Sequence, residues 1–260
     1  MLDLSFPVQE LEYFLLVFAR IATFIFAAPF FSMRGVPSTV KIGLSVFVAY
    51  LMYAFVQPHV YPEYNTVFGY SVIVMKEVAV GLFLGAGTQL CTSIVLFAGR
   101  IIDMEIGLSM ANVFDPATNQ QSSITGLFLQ YGTLLIMYST GLHRYLLKAM
   151  METYILIPVN GAVFHTEELL QTVITFLAEY IIIGFRICLP VFACMTLMNI
   201  VLGLLAKLAP QLNMFSVGIQ LKLIVGLSVL FITIGMLPDI CNFITTQIQQ
   251  MMVSLVEGMM

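Results

Sequence analysis

The chain has 260 residues, of which 60% are hydrophobic and 9% are charged. An ordinary soluble domain carries about 25% charged residues, so the composition excludes that class and indicates an integral membrane protein. The net charge of −4 is small and spread along the chain, which argues against a surface that binds nucleic acid. The cysteines lie in apolar runs without CxxC or Cys/His spacing, and the histidines are scattered. We therefore expect neither a metal site nor a disulfide.

Six apolar segments predict helices that are long enough, or nearly so, to cross a bilayer. Most reach or approach the roughly 18 apolar residues that mark a spanning helix. No Lys or Arg precedes Arg20, so the first run lacks the positive region of a cleavable signal peptide and should be retained. The predicted segments are 11–31, 42–56, 76–98, 124–142, 169–208 and 219–237, followed by an amphipathic tail at 240–256.

The segments between the predicted helices contain two signals, one for a turn and one for the orientation of the chain in the membrane. Between 142 and 169, Pro158, Asn160 and Gly161 predict an irregular connection that turns at least once. Five Lys or Arg residues lie in or beside the first, third and fifth loops, against three in or beside the second and fourth loops. The positive-inside rule then predicts that the N-terminus faces outward and that those loops face the cytoplasm.

The stretch from Gly99 to Ser123 stands out because it is polar between two apolar runs. It contains Arg100, Asp103, Glu105 and Asp115, and such residues are costly in lipid. The stretch must therefore lie in water, in a protein-lined cavity or against partner chains. Its residues leave two interpretations open: a solvated connection with a short amphipathic helix, or a loop inserted into a channel.

The channel interpretation has a physical basis in the residue types. Small residues allow a loop to thread a narrow lumen closely, and an apolar constriction of Met110, Val113 and Phe114 can block ions by dewetting. Asp115 precedes Pro116 and is therefore biased away from helix, so the loop should turn there.

Charged residues inside the predicted spans also allow two interpretations. Glu179 and Arg186 are seven residues apart and so share one face of a helix. An intramembrane carboxylate is a candidate for proton transfer. We favour the alternative that Arg20, Glu179 and Arg186 face neighbouring subunits and pair across the interface. Gly81 and Gly85 form a GxxxG pattern, a weak signal of close helix packing.

Two motifs carry a resemblance to a known family. GRIIDMEIGLSMANVFDP begins at Gly99, and APQLNMFSVGIQLKLIVGL begins at Ala209. Both are similar to motifs of the FliR family of export-gate proteins, which serve flagellar and virulence type III secretion. The similarity extends along nearly the whole chain in length and order of spans. It implies an all-α polytopic membrane protein with about six long apolar helices and a lumen-inserted loop.

The resemblance also implies a domain division and a function. Residues 1–168, including a plug loop at 99–123, would resemble a FliP subunit, and residues 169–260 would form a FliQ-like helical hairpin. Proteins of this family are single-copy subunits of a gate in the bacterial inner membrane, at the flagellar basal body. They assemble with FliP and FliQ, beside FlhA-like and FlhB-like proteins, and unfolded polypeptides pass through the gate. The family has no enzymatic activity and implies no cofactor.

The resemblance assigns the plug to ten consecutive residues: Gly107, Leu108, Ser109, Met110, Ala111, Asn112, Val113, Phe114, Asp115 and Pro116. Arg100, Asp103 and Glu105 would support this plug. The hairpin turn near the cytoplasmic entrance would comprise Pro210, Gln211, Asn213, Phe215 and Gly218.

Other function classes receive less support from the sequence. A virulence secretion subunit is the alternative within the resemblance. A self-contained secondary transporter should show paired repeats with broken helices, and Pro190 and the break at 209–218 have no matching second half. A membrane-embedded enzyme is disfavoured because the sequence has no HExxH or GxSxG motif.

Overall fold

A computed structural model describes residues 8–33, 35–56, 61–62, 64, 66–109, 123–209, 211 and 213–260. All regular structure in these residues is helical, which confirms an all-α polytopic membrane protein. The α-helices are α1 Val8–Ala27, α2 Ser38–Phe55, α3 Val67–Ile106, α4 Ile124–Ser139, α5 Leu142–Leu156, α6 Thr166–Leu208, α7 Met214–Thr233 and α8 Leu237–Glu257. A short 3-10 turn, Ile234–Met236, joins α7 to α8.

Four helical stretches among the described residues are long and apolar enough to cross a membrane: α2, α3, α6 and the continuous stretch Ser216–Glu257. The apolar α4 is shorter, and α1 is not among the four. With 40 and 43 residues, α3 and α6 each extend about 60 Å or more at 1.5 Å per residue. That is about twice the hydrocarbon thickness of a bilayer.

The largest differences from the sequence-based expectation are at α3 and α5. We expected the third span to end near Ala98, but α3 continues to Ile106 and takes in the first eight residues of the polar stretch. It ends at Gly107, whose φ of 94° is left-handed and easy only for glycine. The connection expected after residue 142 begins with the helix α5, and only 157–165 is non-helical.

The described residues form two compact units. The first comprises residues up to Cys91, Thr140–Phe176 and Thr246–Met260; the second comprises Thr92–Ser139 and Leu177–Thr245. Each unit draws on both sides of residue 168. The predicted division into a FliP-like and a FliQ-like part concerns relatedness to other proteins, and it stays a prediction.

The first unit is built around an antiparallel pair of helices, α1 and α2. Tyr13 near the start of α1 meets Tyr53 near the end of α2, with ring centroids 6.2 Å apart. At the other end, Lys41 Nζ lies 5.9 Å from the Phe26 ring centroid. Helix α3 then packs against α1 through small residues: a Cβ on Gly85 would lie 2.7 Å from the Cβ of Ala27. The GxxxG pattern is therefore a close-packing site within the chain.

Candidate functional site: the neck of the polar stretch

Hydrogen bonds to the carboxylate of Asp103 connect the C-terminal end of α3 to the N-terminal end of α4. Its Oδ2 accepts a hydrogen bond of 2.6 Å from the Ser123 hydroxyl, and both oxygens accept from the Thr125 N–H at 3.3 Å. Asp103 is only 5% exposed. A buried carboxylate is costly unless it is hydrogen-bonded, and the first N–H groups of a helix lack partners in their own helix. The Asp103 carboxylate and the Thr125 N–H therefore supply each other with a hydrogen-bond partner.

The same two helix ends touch backbone to backbone. A Cβ on Gly99 would overlap the backbone of Gly126, so this crossing requires glycine. The Ser123 Oγ accepts a 2.8 Å hydrogen bond from the Gly126 N–H while its proton goes to Asp103. We call Gly99, Asp103, Ser123, Thr125 and Gly126 the neck.

The predicted plug begins directly after the neck. The Gly107 N–H donates to the Asp103 carbonyl at 3.1 Å, and Leu108 and Ser109 are half-buried. The chain leaves α3 at Gly107 and is back at the neck by Ser123, so the polar stretch starts and ends at one place. The other predicted plug residues lie outside the described residues: Met110, Ala111, Asn112, Val113, Phe114, Asp115 and Pro116.

Of the three predicted support residues, Asp103 lies in the neck. Arg100 is exposed and Glu105 is half-buried, both on the last turns of α3. Within the described residues, the hydrogen-bond donors to the Asp103 carboxylate come from Ser123 and Thr125. A supporting role for Arg100 and Glu105 stays a prediction.

A second buried polar cluster lies in the first unit. Arg20 Nε is 2.5 Å from Glu77 Oε2, and both side chains are fully buried. Arg20 Nη1 donates to the Ile157 carbonyl at 2.9 Å, and the Asn160 N–H donates to Glu77 Oε1 at 2.9 Å. The ion pair thus joins α1, α3 and the connection after α5. We call these four residues the ion-pair node.

Tyr154 packs against the Arg20 guanidinium of the ion-pair node. Its ring centroid is 4.3 Å from Arg20 Cζ, a distance at which a guanidinium is attracted to an aromatic face. Burial raises the pKa of the Tyr154 phenol, so the phenol stays protonated and donates to the Val17 carbonyl at 3.0 Å.

The expectation that Arg20 pairs across a subunit interface is therefore wrong. The sequence interpretation placed Glu77 at the boundary of a span and so did not consider it as a partner. Gly81, one turn further along α3, lets the backbone of α1 approach, because a Cβ there would overlap the Arg20 carbonyl. This close approach brings the two charges together inside the chain.

Comparison with known proteins gives the family of the chain. Residues 11–248 match the family described as bacterial export proteins, family 1. The chain belongs to this export-protein family. The resemblance inferred from the two motifs is thus confirmed.

Curated relatives of this export-protein family match over most of their length. The chain is 35% identical to the flagellar biosynthetic protein FliR of Bacillus subtilis (strain 168) over 230 residues, 85% of this chain and 88% of that protein. It is 26% identical to FliR of Escherichia coli (strain K12) over 239 residues, 92% and 90% of the two chains. Identity to FliR of Aquifex aeolicus (strain VF5) is 26% over 225 residues, 86% and 85% of the two chains.

The remaining predicted site residues lie in the second unit. Glu179 and Arg186 are exposed on α6. At the predicted hairpin turn, the Asn213 side chain accepts from the Ser216 N–H at 3.5 Å and so caps α7. Gln211 is exposed and Gly218 is buried, whereas Pro210 and the Phe215 side chain lie outside the described part of the chain.

Proposed function

We propose that this chain is the single-copy structural and gating subunit of the flagellar type III protein export gate. It would sit in the bacterial inner membrane at the basal body and form a channel with FliP-like and FliQ-like subunits. FlhA-like and FlhB-like proteins would adjoin it, and unfolded flagellar subunits would pass through. The flagellar relatives favour this system over the alternative, a subunit of a virulence secretion gate.

The neck is the observation that carries the proposal. A polar stretch between the apolar helices α3 and α4 is fastened at both ends by one buried carboxylate. Such a stretch is excluded from lipid, and its two described ends lie together at the neck. A loop with this anchorage suits a plug, because it can move without separating the two helices that carry it.

The plug would close the channel through the residues after Gly107. Small residues keep its backbone close to the surrounding wall, and Met110, Val113 and Phe114 would exclude water and ions. Methionine suits this position because its flexible side chain adapts to different surfaces. The gate can therefore yield to polypeptides of any sequence without recognising one.

Partner subunits would cover the exposed part of α6. Glu179 and Arg186 share one face, and a partner helix with the opposite order of charges would neutralise both. The turn formed by Pro210, Gln211, Asn213, Phe215 and Gly218 would lie near the cytoplasmic entrance. No catalytic residue or cofactor is part of this proposal.

Co-purification tests the assembly directly. The chain, tagged on its C-terminal side and extracted in a mild detergent, should co-purify with FliP-like and FliQ-like subunits identified by mass spectrometry. Recovery of a monomer or homodimer that takes up a small solute in liposomes would contradict the proposal and favour a transporter.

Leucine substitutions at two glycines test whether the plug fits tightly in the lumen. Gly107 and Gly35 both have a left-handed φ, 94° and 104°, and a Cβ on either meets no described atom within 4 Å. Leucine therefore causes the same backbone strain at both positions. Gly107→Leu should reduce export in a motility or secretion assay much more than Gly35→Leu, because only the former would overfill the lumen. Equal losses would argue against a tight lumen around the plug.

A further inference from the structure

The turn that follows α8 forms backbone hydrogen bonds with the non-helical connection after α5. The Val163 N–H donates to the Met259 carbonyl at 3.1 Å, and the His165 N–H donates to the Gly258 carbonyl at 3.0 Å. These bonds lie outside any helix, and they join a segment before α6 to a segment after α7. We call residues 251–259, the last turns of α8 and the residues just beyond them, the strap.

The side chains of the strap are buried inside the first unit. Met251 is 5% exposed, Leu255 is 2% exposed and Met259 is fully buried. A Cβ on Gly87 of α3 would lie 2.6 Å from Leu255 Cδ1, so the missing side chain of Gly87 leaves the space that Leu255 occupies. The strap is therefore packed against α3 as well as hydrogen-bonded to the connection.

Gly258 brings the strap close to the first turn of α6. A Cβ on Gly258 would lie 2.9 Å from Leu169 Cδ2, and Leu169 is 8% exposed. Gly258 is not among the described glycines with a left-handed φ. A larger residue there would consequently meet the Leu169 side chain without straining its own backbone.

The ion-pair node holds the same connection from its other end. Arg20 donates to the Ile157 carbonyl, and the Asn160 N–H donates to the Glu77 carboxylate. Ala162 lies between these contacts and those of the strap, and it is 2% exposed. Because backbone groups outside helices need partners elsewhere, the node and the strap together determine the conformation of the connection.

We propose that the strap is a releasable latch. In place, it keeps Ala162 buried; when it is displaced, the connection opens around Ala162 while the node retains its contacts. Opening one segment costs less free energy than unfolding the whole chain, because only the contacts of that segment are broken. The position of α8 thereby controls the conformation of a segment that precedes α6, and this holds independently of the proposed export function.

Thiol labelling at Ala162 tests the latch in the full chain, in membranes. Ala162→Cys should react slowly with the membrane-permeant reagent N-ethylmaleimide, because a buried thiol is inert. Adding Gly258→Leu should raise the labelling rate by about tenfold or more, because the new side chain overlaps Leu169 and displaces the strap. The four native cysteines, three of which are buried, define the background in the otherwise unmodified chain.

Gly235→Leu is the matched control for Gly258→Leu. Gly235 also lacks a left-handed φ, and a Cβ there meets no described atom within 4 Å. Labelling of Ala162→Cys should therefore stay slow with Gly235→Leu. Equal labelling rates with the two leucine substitutions would overturn the proposal, as would fast labelling of Ala162→Cys alone.

A compensating substitution separates displacement of the strap from loss of the fold. Leu169→Ala makes room for the leucine at position 258, so its addition to Gly258→Leu should restore slow labelling of Ala162→Cys. The chain with Gly258→Leu should remain within about twofold of its normal abundance in membranes, because the node keeps its partners. If the leucine depletes the chain, Gly258→Ala provides the same comparison with a smaller overlap. Slow labelling with Gly258→Ala, or fast labelling that Leu169→Ala does not reverse, would contradict the latch.

Discussion

The neck and the ion-pair node bury one carboxylate each, and they do so in different ways. Asp103 receives uncharged donors from a hydroxyl and a backbone N–H at the start of the next helix. Glu77 receives a guanidinium from a helix 57 residues earlier in the chain. The neck therefore organises a local connection, whereas the node fixes three distant segments in one arrangement. The two should respond differently to substitution.

The largest effect is expected at the node. Glu77→Leu leaves the Arg20 charge buried without a partner, and breaking a buried ion pair costs about 3–5 kcal/mol. We expect the chain to be nearly absent from membranes. Immunoblotting of membrane fractions measures this loss.

A double substitution tests whether the node stabilises the chain through its charge balance. Arg20→Met with Glu77→Leu removes both charges and keeps much of the volume, and such replacements are often neutral or stabilising. Abundance should recover well above that of Glu77→Leu. If the double variant is as depleted as the single one, the pair acts through its hydrogen bonds to Ile157 and Asn160 more than through its charge balance.

The next largest effect is expected where the helices of the neck cross. A side chain on Gly99 would overlap the backbone of Gly126, and forcing extra atoms into a packed contact typically costs about 1–3 kcal/mol. Gly99→Ala should lower the heat-denaturation midpoint of the extracted assembly. Gly43→Ala is the control, because a Cβ there has no described atom within 4 Å. An equal decrease for both variants would contradict the close crossing.

A smaller effect is expected from the neck carboxylate. Asp103→Ala removes the acceptor of the Thr125 N–H at the start of α4, a loss of about 0.5–2 kcal/mol, and leaves the Ser123 hydroxyl without its acceptor. Asp103→Asn retains one acceptor oxygen and should lose less. The same denaturation measurement compares the two. Equal behaviour of Ala and Asn would show that the acceptor at Asp103 does not stabilise the neck.

The smallest effect is expected at the surface of α5. Lys148 and Glu152 are 3.6 Å apart and largely exposed, and an (i, i+4) pair of this kind contributes no more than about 0.5 kcal/mol. Glu152→Ala should therefore leave abundance and the denaturation midpoint unchanged within error. A large loss would mean that this face of α5 is covered in the assembly.

The sequence predicted those features that depend on local patterns. Long apolar runs indicated helices, and the polar residues after Gly99 indicated a stretch that cannot lie in lipid. The helix α5 was missed because the turn signals at Pro158 and Gly161 dominated the interpretation of the whole connection. Helix α3 extends further than expected because a helix tolerates Arg100 and Asp103, although an apolar run ends before them.

The contacts that define both sites depend on the tertiary structure. The pairing of Arg20 with Glu77 requires α1 and α3 to approach at Gly81, and no spacing along the chain encodes that distance. Asp103 was singled out as a charged residue of the polar stretch, and its support of the plug stays a prediction. Its partners Ser123 and Thr125 were not predicted, because they lie 20 and 22 residues away across the polar stretch.

Ion leak through the membrane tests the central claim, that the stretch anchored at the neck closes a channel. Deletion of residues 107–114 removes no residue of the neck, of α3 or of α4. Cells that carry the deletion, with the assembly intact on native gels, should lose membrane potential and become permeable to small ions. A membrane as tight as that of cells with the unmodified chain would contradict the account.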